Sequence, residues 1–269
     1  MTLTPLLSPD EPHPVRVDNP DGASPILLVA DHYGRLIPRR LGQLGLSAAE
    51  LDRHIAWDIG IAGVSARLAD ALDAALISQL YSRLVIDCNR PPDAQSAVPL
   101  VSETTAIPGN EGLGDAERRA RIAEVFAPYH DRVSSEIARR RAAGRPTILV
   151  AMHSFTPVYK GEARPWRIGT LYGRDARLAS RLHPLLVEEA GLVVGDNQPY
   201  AVSDETDYTI PVHGEGNGLV HVGLEIRQDL IVDVPGQEAW AERLARLLPL
   251  AANEAAAGAL SDGVFARTR

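Results

Sequence analysis

Pro25-Ile26-Leu27-Leu28-Val29-Ala30, followed at once by Asp31-His32-Tyr33-Gly34, decides how this chain is read. A short, unbroken aliphatic run of this length predicts a buried strand. The polar residues behind it fall at the strand's carboxyl end, where parallel sheets present functional side chains. The same punctuation recurs three times along the chain. Leu84-Val85-Ile86 runs into Asp87-Cys88-Asn89-Arg90, and Thr147-Ile148-Leu149-Val150-Ala151-Met152 into His153-Ser154-Phe155. Leu219-Val220-His221-Val222-Gly223-Leu224 runs into Glu225-Ile226-Arg227-Gln228-Asp229.

Helical patterns lie between these strands. Ser47-Ala48-Ala49-Glu50 is a capping-box pattern that opens a helical stretch toward Asp73, with a break expected near Gly60 or Gly63. Ile122, Val125, Phe126, Tyr129, Val133 and Ile137 recur at helical steps and predict a helix over 115–143. Further strands are expected at 75–80, 168–172 and 192–194, and helices at 175–190 and 237–257. The turn at 81–83 is short, so one neighbouring pair should be antiparallel. Residues 91–114 hold four prolines and three glycines, a loop of the kind that covers an active site. Residues 1–24 read as an irregular lead-in, and 25–269 as one α/β domain with a mixed, mainly parallel sheet.

At 269 residues the chain can bury a core without disulfides or a structural metal. Its formal charge of -8 argues against a general nucleic-acid binder. A few local arginines still permit an anionic small molecule in a cleft. Met1-Thr2-Leu3-Thr4-Pro5 lacks the basic and apolar regions of a secretory signal, and no aliphatic run is long enough to cross a bilayer. A cytoplasmic protein without a membrane partner is expected.

His32 and His153 stand at strand ends, where neutral imidazoles suit a zinc ion held by three protein ligands and a water; hydrogen-bonded structural histidines are the alternative. For a third ligand, His54 and Asp58 are spaced to share a helix face. Asp58 is preferred, because a lone carboxylate beside Trp57 in an apolar stretch calls for a cation. A salt-bridged helix face explains the same spacing. Asn89-Arg90 offers a planar donor pair for a carboxylate, with Arg83 and Arg227 as further cations, unless these arginines pin their own loops. Glu225 is placed to act as general base near a metal-bound water, or else pairs structurally with Arg227. His213 can reach a pocket from the irregular segment 199–218. His13, His130, His183 and His221 look weaker. There is no P-loop or nucleophile elbow, and Ser154 would diverge from His153 on a strand, which disfavours a serine triad.

On His32-x-Gly34 with Ile37-Pro38, Asp58, Arg83-Leu84-Val85-Ile86-Asp87-Cys88-Asn89-Arg90, His153-Ser154-Phe155 and Glu225-Ile226-Arg227-Gln228-Asp229, the chain resembles the N-formylglutamate amidohydrolase family. The likeness runs over most of residues 25–250. It implies a three-layer α/β sandwich of the phosphorylase/hydrolase-like type shared with zinc carboxypeptidases and aspartoacylases. It further implies one zinc per chain on His32 and His153, Glu225 as base, and Asn89-Arg90 on a substrate carboxylate. Arg227 or Tyr208 would steady the oxyanion. The implied substrate is a small N-acyl acidic amino acid, N-formyl-L-glutamate first, split into formate and glutamate. Such relatives commonly take two ligands from His-x-x-Glu; Arg35 occupies that place here, so Asp58, or failing it His54, completes the expected set. A related deacylase or carboxypeptidase-like peptidase, or a non-catalytic binder of carboxylated metabolites, would use the same cleft.

Overall fold

The computed structural model describes residues 5–265, with side chains through residue 255. One sheet is formed by β1 Val15–Asp18, β2 Ile26–Ala30, β3 Ala75–Gln79, β4 Ile148–Phe155, β5 Ile168–Leu171, β6 Val194–Asp196 and β7 Val220–Arg227. In space the strands run β1-β3-β2-β4-β7-β5-β6. Neighbours pair in parallel from β3 through β2 and β4 to β7, and again between β5 and β6. β1 meets β3, and β5 meets β7, in antiparallel fashion. The sheet is therefore mixed and mainly parallel. Its central strands are covered on both faces, which is why they read as continuous aliphatic runs.

Alternation along each strand divides the core into two layers. Ile26, Leu28, Val150, Met152, Val222 and Leu224 pack against Ile61, Val64, Leu68, Leu244 and Leu248. These come from helices Ile61–Leu72 and Val234–Phe265. Leu27, Val29, Leu149 and Ala151 face the opposite way, onto Phe126, Tyr129, Val133 and Ile137. The result is helix, sheet and helix in three layers. Among the described residues no helix is long and apolar enough to cross a membrane.

Several local expectations are overturned. The lead-in is not wholly irregular: Val15–Asp18 adds an edge strand, with Val15 opposite Gln79. Residues 84–86 form no strand. Val85 N donates to Ser82 O in a turn, and the carbonyls of Leu84 and Val85 accept from Asn110 Nδ2 (2.9 Å) and Arg121 Nη1 (2.8 Å). Buried backbone groups must find partners, and here side chains replace a ladder. The antiparallel pair expected at that turn is accordingly absent.

The capping box at Ser47 is present, but its helix is only Ala48–Leu51. The chain becomes helical again at Ile61–Leu72, after Gly60 at φ 79°. His54 and Asp58 therefore lie in the break and share no helix face. The helix expected over 115–143 does form, with a π-helical stretch Ile122–Phe126 between Asp115–Arg121 and Ala127–Ala142. Residues 91–114 carry a small hairpin, Val101–Ser102 with Thr105–Ala106.

Candidate active site

β4 and β7 lie side by side in register, so His153 is next to Glu225 and Ala151 next to Gly223. The two large polar groups thus follow two small residues on the same face. A cavity of about 500 Å³ opens over them, lined by His32, Arg83, Asn89, Arg90, His153 and Glu225 among others. Part of its wall is Val101, Ser102 and Glu103 from the hairpin of the long loop.

His32 arrives just past the end of β2. The chain there runs so close to the end of β3 that a Cβ on Gly34 would stand 2.0 Å from Leu80 O; Gly34 N donates to Gln79 O at 2.9 Å. Only glycine permits this approach. Asp58 is fastened from both sides. Its amide donates to His32 O at 3.0 Å, Ser154 N donates to Asp58 Oδ2 at 3.1 Å, and Ser154 Oγ donates to Ile59 O at 2.9 Å.

The three side chains converge. Asp58 Oδ2 lies 3.5 Å from His32 Nδ1 and 3.1 Å from His153 Nδ1. One ligand atom from each of the three residues falls within 4.8 Å of the others. Ligands bound tetrahedrally at about 2.0–2.1 Å would stand about 3.3 Å apart. Among the described residues His32 Nδ1 has no hydrogen-bond partner. The far ring nitrogens both face acids: His32 Nε2 lies 2.7 Å from Asp87 Oδ1, and His153 Nε2 3.3 Å from Asp31 Oδ2. A carboxylate on the far nitrogen fixes the tautomer and turns the near lone pair inward. Two such imidazoles and one carboxylate, opening onto a cavity, fit a catalytic zinc ion. His54, the other possible third ligand, lies instead 3.6 Å from Glu103.

Electrostatics separate Glu225 from the other acids. Burial would raise the Asp31 carboxyl, but His153 and His32 hold it at about 2. Asp58 is held below the usual range by the same two histidines against its burial. Asp87 is likewise lowered by Arg83 and His32. Burial works against charge on His32 and His153, yet the surrounding carboxylates raise both, His153 well above its ordinary value. Glu225 is buried, its Oε2 without a partner among the described residues, and burial pushes its carboxyl up to about 7 against the pull of His153. One carboxyl thus exchanges its proton near neutrality among three that stay charged.

The remaining expected site residues divide. Arg83 lines the cavity, but Nη2 donates to Asp87 Oδ2 at 2.7 Å and Nη1 lies 3.4 Å from Asp58 Oδ1, so it serves internal acids. Asn89 Oδ1 accepts from the amides of Tyr208 and Thr209 at 3.1 Å each, and Nδ2 donates to Asp207 Oδ1 at 3.2 Å. Arg90 keeps a loose contact, 4.0 Å from Asp207.

Besides Asp58, three expected residues lie outside the cavity lining. Tyr208 packs its ring against Phe126 and His130. His213 is turned inward, its Nε2 donating to His130 Nδ1 at 2.9 Å. Arg227 sits at the very end of β7, where Asp229 and the carbonyls of Arg164 and Pro165 draw its guanidinium aside. Sequence reasoning gave no role to Asp31 and Asp87, although both adjoin flagged residues. It also passed over Tyr159 and Tyr200, whose segments carry no periodic signal.

The N-formylglutamate amidohydrolase family model matches residues 24–232. The chain belongs to this family. N-formylglutamate deformylases of Pseudomonas aeruginosa and Pseudomonas putida are 32% and 29% identical to it over 142 and 136 residues, or 46% and 45% of this chain. The chain spans about half the length of these curated relatives, 52% and 51%. The solved structure of gene product Atu2144 from Agrobacterium tumefaciens is 43% identical, with a TM-score of 0.89 over 92% of this chain and 98% of its own. An N-formylglutamate amidohydrolase from Ralstonia eutropha JMP134 shares the fold, with a TM-score of 0.66 at 18% identity over 90% of this chain and 98% of its own. The N-formylglutamate amidohydrolase span includes His32, Asp58, Arg83, Asn89, Arg90, His153 and Glu225.

Proposed function

We propose that this chain is a zinc-dependent amidohydrolase that splits the amide of an N-acylated acidic amino acid, N-formyl-L-glutamate first, into formate and glutamate. The observation that carries the reading is the convergence of His32, Asp58 and His153, each ring backed by an acid, beside a Glu225 that titrates near neutrality. Family membership and the activity named for the deformylase relatives support the substrate class.

One zinc held by His32, Asp58 and His153 would supply Lewis acidity and lower the pKa of its water toward about 7. Glu225 takes the proton of the attacking water and returns it to the departing nitrogen, a task suited to a carboxyl near pH 7. Asp31 and Asp87 hold the imidazoles in place, and Arg83 keeps Asp87 and Asp58 oriented. Ala151 and Gly223 leave room for the acyl group against the sheet. Arg90 receives a substrate carboxylate in place of its loose contact with Asp207. The covering hairpin restricts solvent.

Zinc content and formate release from N-formyl-L-glutamate, compared between wild type, His32→Ala and His153→Ala, test this directly. About one zinc per chain with turnover, both lost in the variants, is expected. A metal-free wild type that added zinc does not activate would end the proposal.

A further inference from the structure

An N-acylated acidic amino acid carries two carboxylates, and the arginines near the cavity can be weighed against the acids they already serve. Arg83 is committed to Asp87 and Asp58. Arg53 is held by Glu103 and Thr105. Arg227 is closed by Asp229. Among the described residues, the one acid within ion-pair distance of Arg90 is Asp207, at 4.0 Å. Arg164 differs from all of these: among the described residues it forms no ion pair.

Its guanidinium is packed among rings, with centroids at 4.6 Å for Tyr159, 4.8 Å for Tyr200 and 5.8 Å for Phe155. Nη1 donates to the Tyr200 hydroxyl at 2.9 Å. Tyr159 and Tyr200 line the same cavity as Arg90, His153 and Glu225. The arrangement is secured by the backbone. Arg164 N donates to Pro157 O at 2.8 Å, closing the hairpin that presents Tyr159. Arg227 Nη1 donates to Arg164 O at 3.2 Å, and Arg227 N donates to Arg167 O at 2.9 Å. A guanidinium is weakly hydrated and stacks well on aromatic faces, so it tolerates this seat without a counter-charge. The Tyr200 oxygen accepts from Arg164, which leaves its own proton to donate to another acceptor.

Resting on the proposed reading of the cavity, we propose that the Tyr200 hydroxyl, with Arg164 behind it, receives the second carboxylate of the substrate. Arg90 takes one carboxylate and the Arg164–Tyr200 pair the other. The pair therefore sets the demand for a dicarboxylate, and Arg227 acts as a positioning residue that holds the Arg164 loop.

Titration calorimetry on the protein as purified, with glutarate and pentanoate as probes, tests this. The two probes have equal carbon number and differ by one carboxylate. Wild type should bind glutarate about tenfold more tightly, the scale of one charge-assisted contact. Arg164→Gln should bring glutarate to the level of pentanoate and leave pentanoate unchanged. Tyr200→Phe, which retains the ring over the guanidinium, should also reduce the preference.

A wild type without the preference, or retention of it in both variants, overturns the proposal. So does an equal loss for both probes, the mark of a merely structural role. If wild type releases no formate from N-formyl-L-glutamate but loses its glutarate preference on Arg164→Gln, the amidohydrolase reading fails and this carboxylate site stands.

Discussion

Two pairs of buried histidines have the same ring spacing, 5.1 Å between centroids, yet opposite electrostatics: His32 with His153, and His130 with His213. The first pair faces Asp58, Asp87 and Asp31, which raise both imidazoles above their ordinary values against burial. The second pair satisfies itself. His213 donates to His130, and His130 Nε2 donates to Cys88 O at 2.8 Å. Burial presses His130 down to about 3, helped by His213, and presses His213 down to about 4. The first pair is set among carboxylates that favour positive charge there. The second is a neutral brace joining the segment Thr209–Gly214 to helix Ala127–Ala142. Burial and ring spacing do not distinguish the two; the group on the remaining nitrogen does.

The largest expected effect separates the pairs outright. His153→Ala should abolish zinc binding, whereas His213→Gln, which keeps an amide donor toward His130, should retain about one zinc per chain. Loss of zinc from His213→Gln would break the comparison. Next, Glu225→Gln should stay folded and keep zinc while kcat falls by about 10²–10⁴, the usual scale for a general acid–base group. Steady-state formate release and metal analysis on the same sample decide this, and near-normal turnover removes Glu225 as the base.

The acids behind the imidazoles should matter less than the imidazoles themselves. Asp87→Asn is expected to weaken zinc affinity by about 10- to 100-fold, read by competition with a chelator; an unchanged affinity would mean that the backing acid is incidental. Smaller still, Arg90→Ala should raise KM about tenfold with kcat nearly unchanged, while Tyr208→Phe, beside the brace, should leave KM alone. Equal effects from the two would deny Arg90 its separate role.

The brace itself should appear in the pH dependence of stability. His130 and His213 have folded values below the ordinary 6.5. The unfolded chain therefore binds more protons once pH drops below that value. Their stabilisation is complete above about 6.5 and is lost as pH falls toward 4 and then 3, by up to about 1.4 kcal/mol per pH unit for each. Urea unfolding between pH 7 and 4 should show this slope, and His213→Gln should make it shallower. Glu225 acts in the opposite sense. Its folded value of about 7 exceeds the ordinary 4.5, so its ionisation destabilises the fold as pH rises from 4.5 to 7, and Glu225→Gln should flatten that part of the curve.

Much of the central sheet was legible because its signal is local. β2, β4 and β7 are aliphatic runs buried on both faces, and their ends show where His32, His153 and Glu225 emerge. Elements supported from a distance were not legible. Val15–Asp18 is a strand because Ala75–Gln79 lies beside it. The triplet 84–86 resembles a strand but is satisfied by the side chains of Asn110 and Arg121. For Asp58, the need for a cation followed from its apolar neighbours, whereas the helix assumed to carry it does not exist at that position.

By itself, then, the sequence determined the alternating α/β order, the buried strands and the polar residues that leave their ends, since periodicity and apolar length act over a few residues. Only the tertiary structure decided which histidine meets which acid. His32 finds Asp87 from 55 positions away, and His153 finds Asp58 from 95. Tertiary packing likewise turned His213 toward His130 and left Arg164 among aromatic rings, with no acid beside it among the described residues. The charge state of a buried group depends on what is packed against it, and neighbours in the chain do not set that.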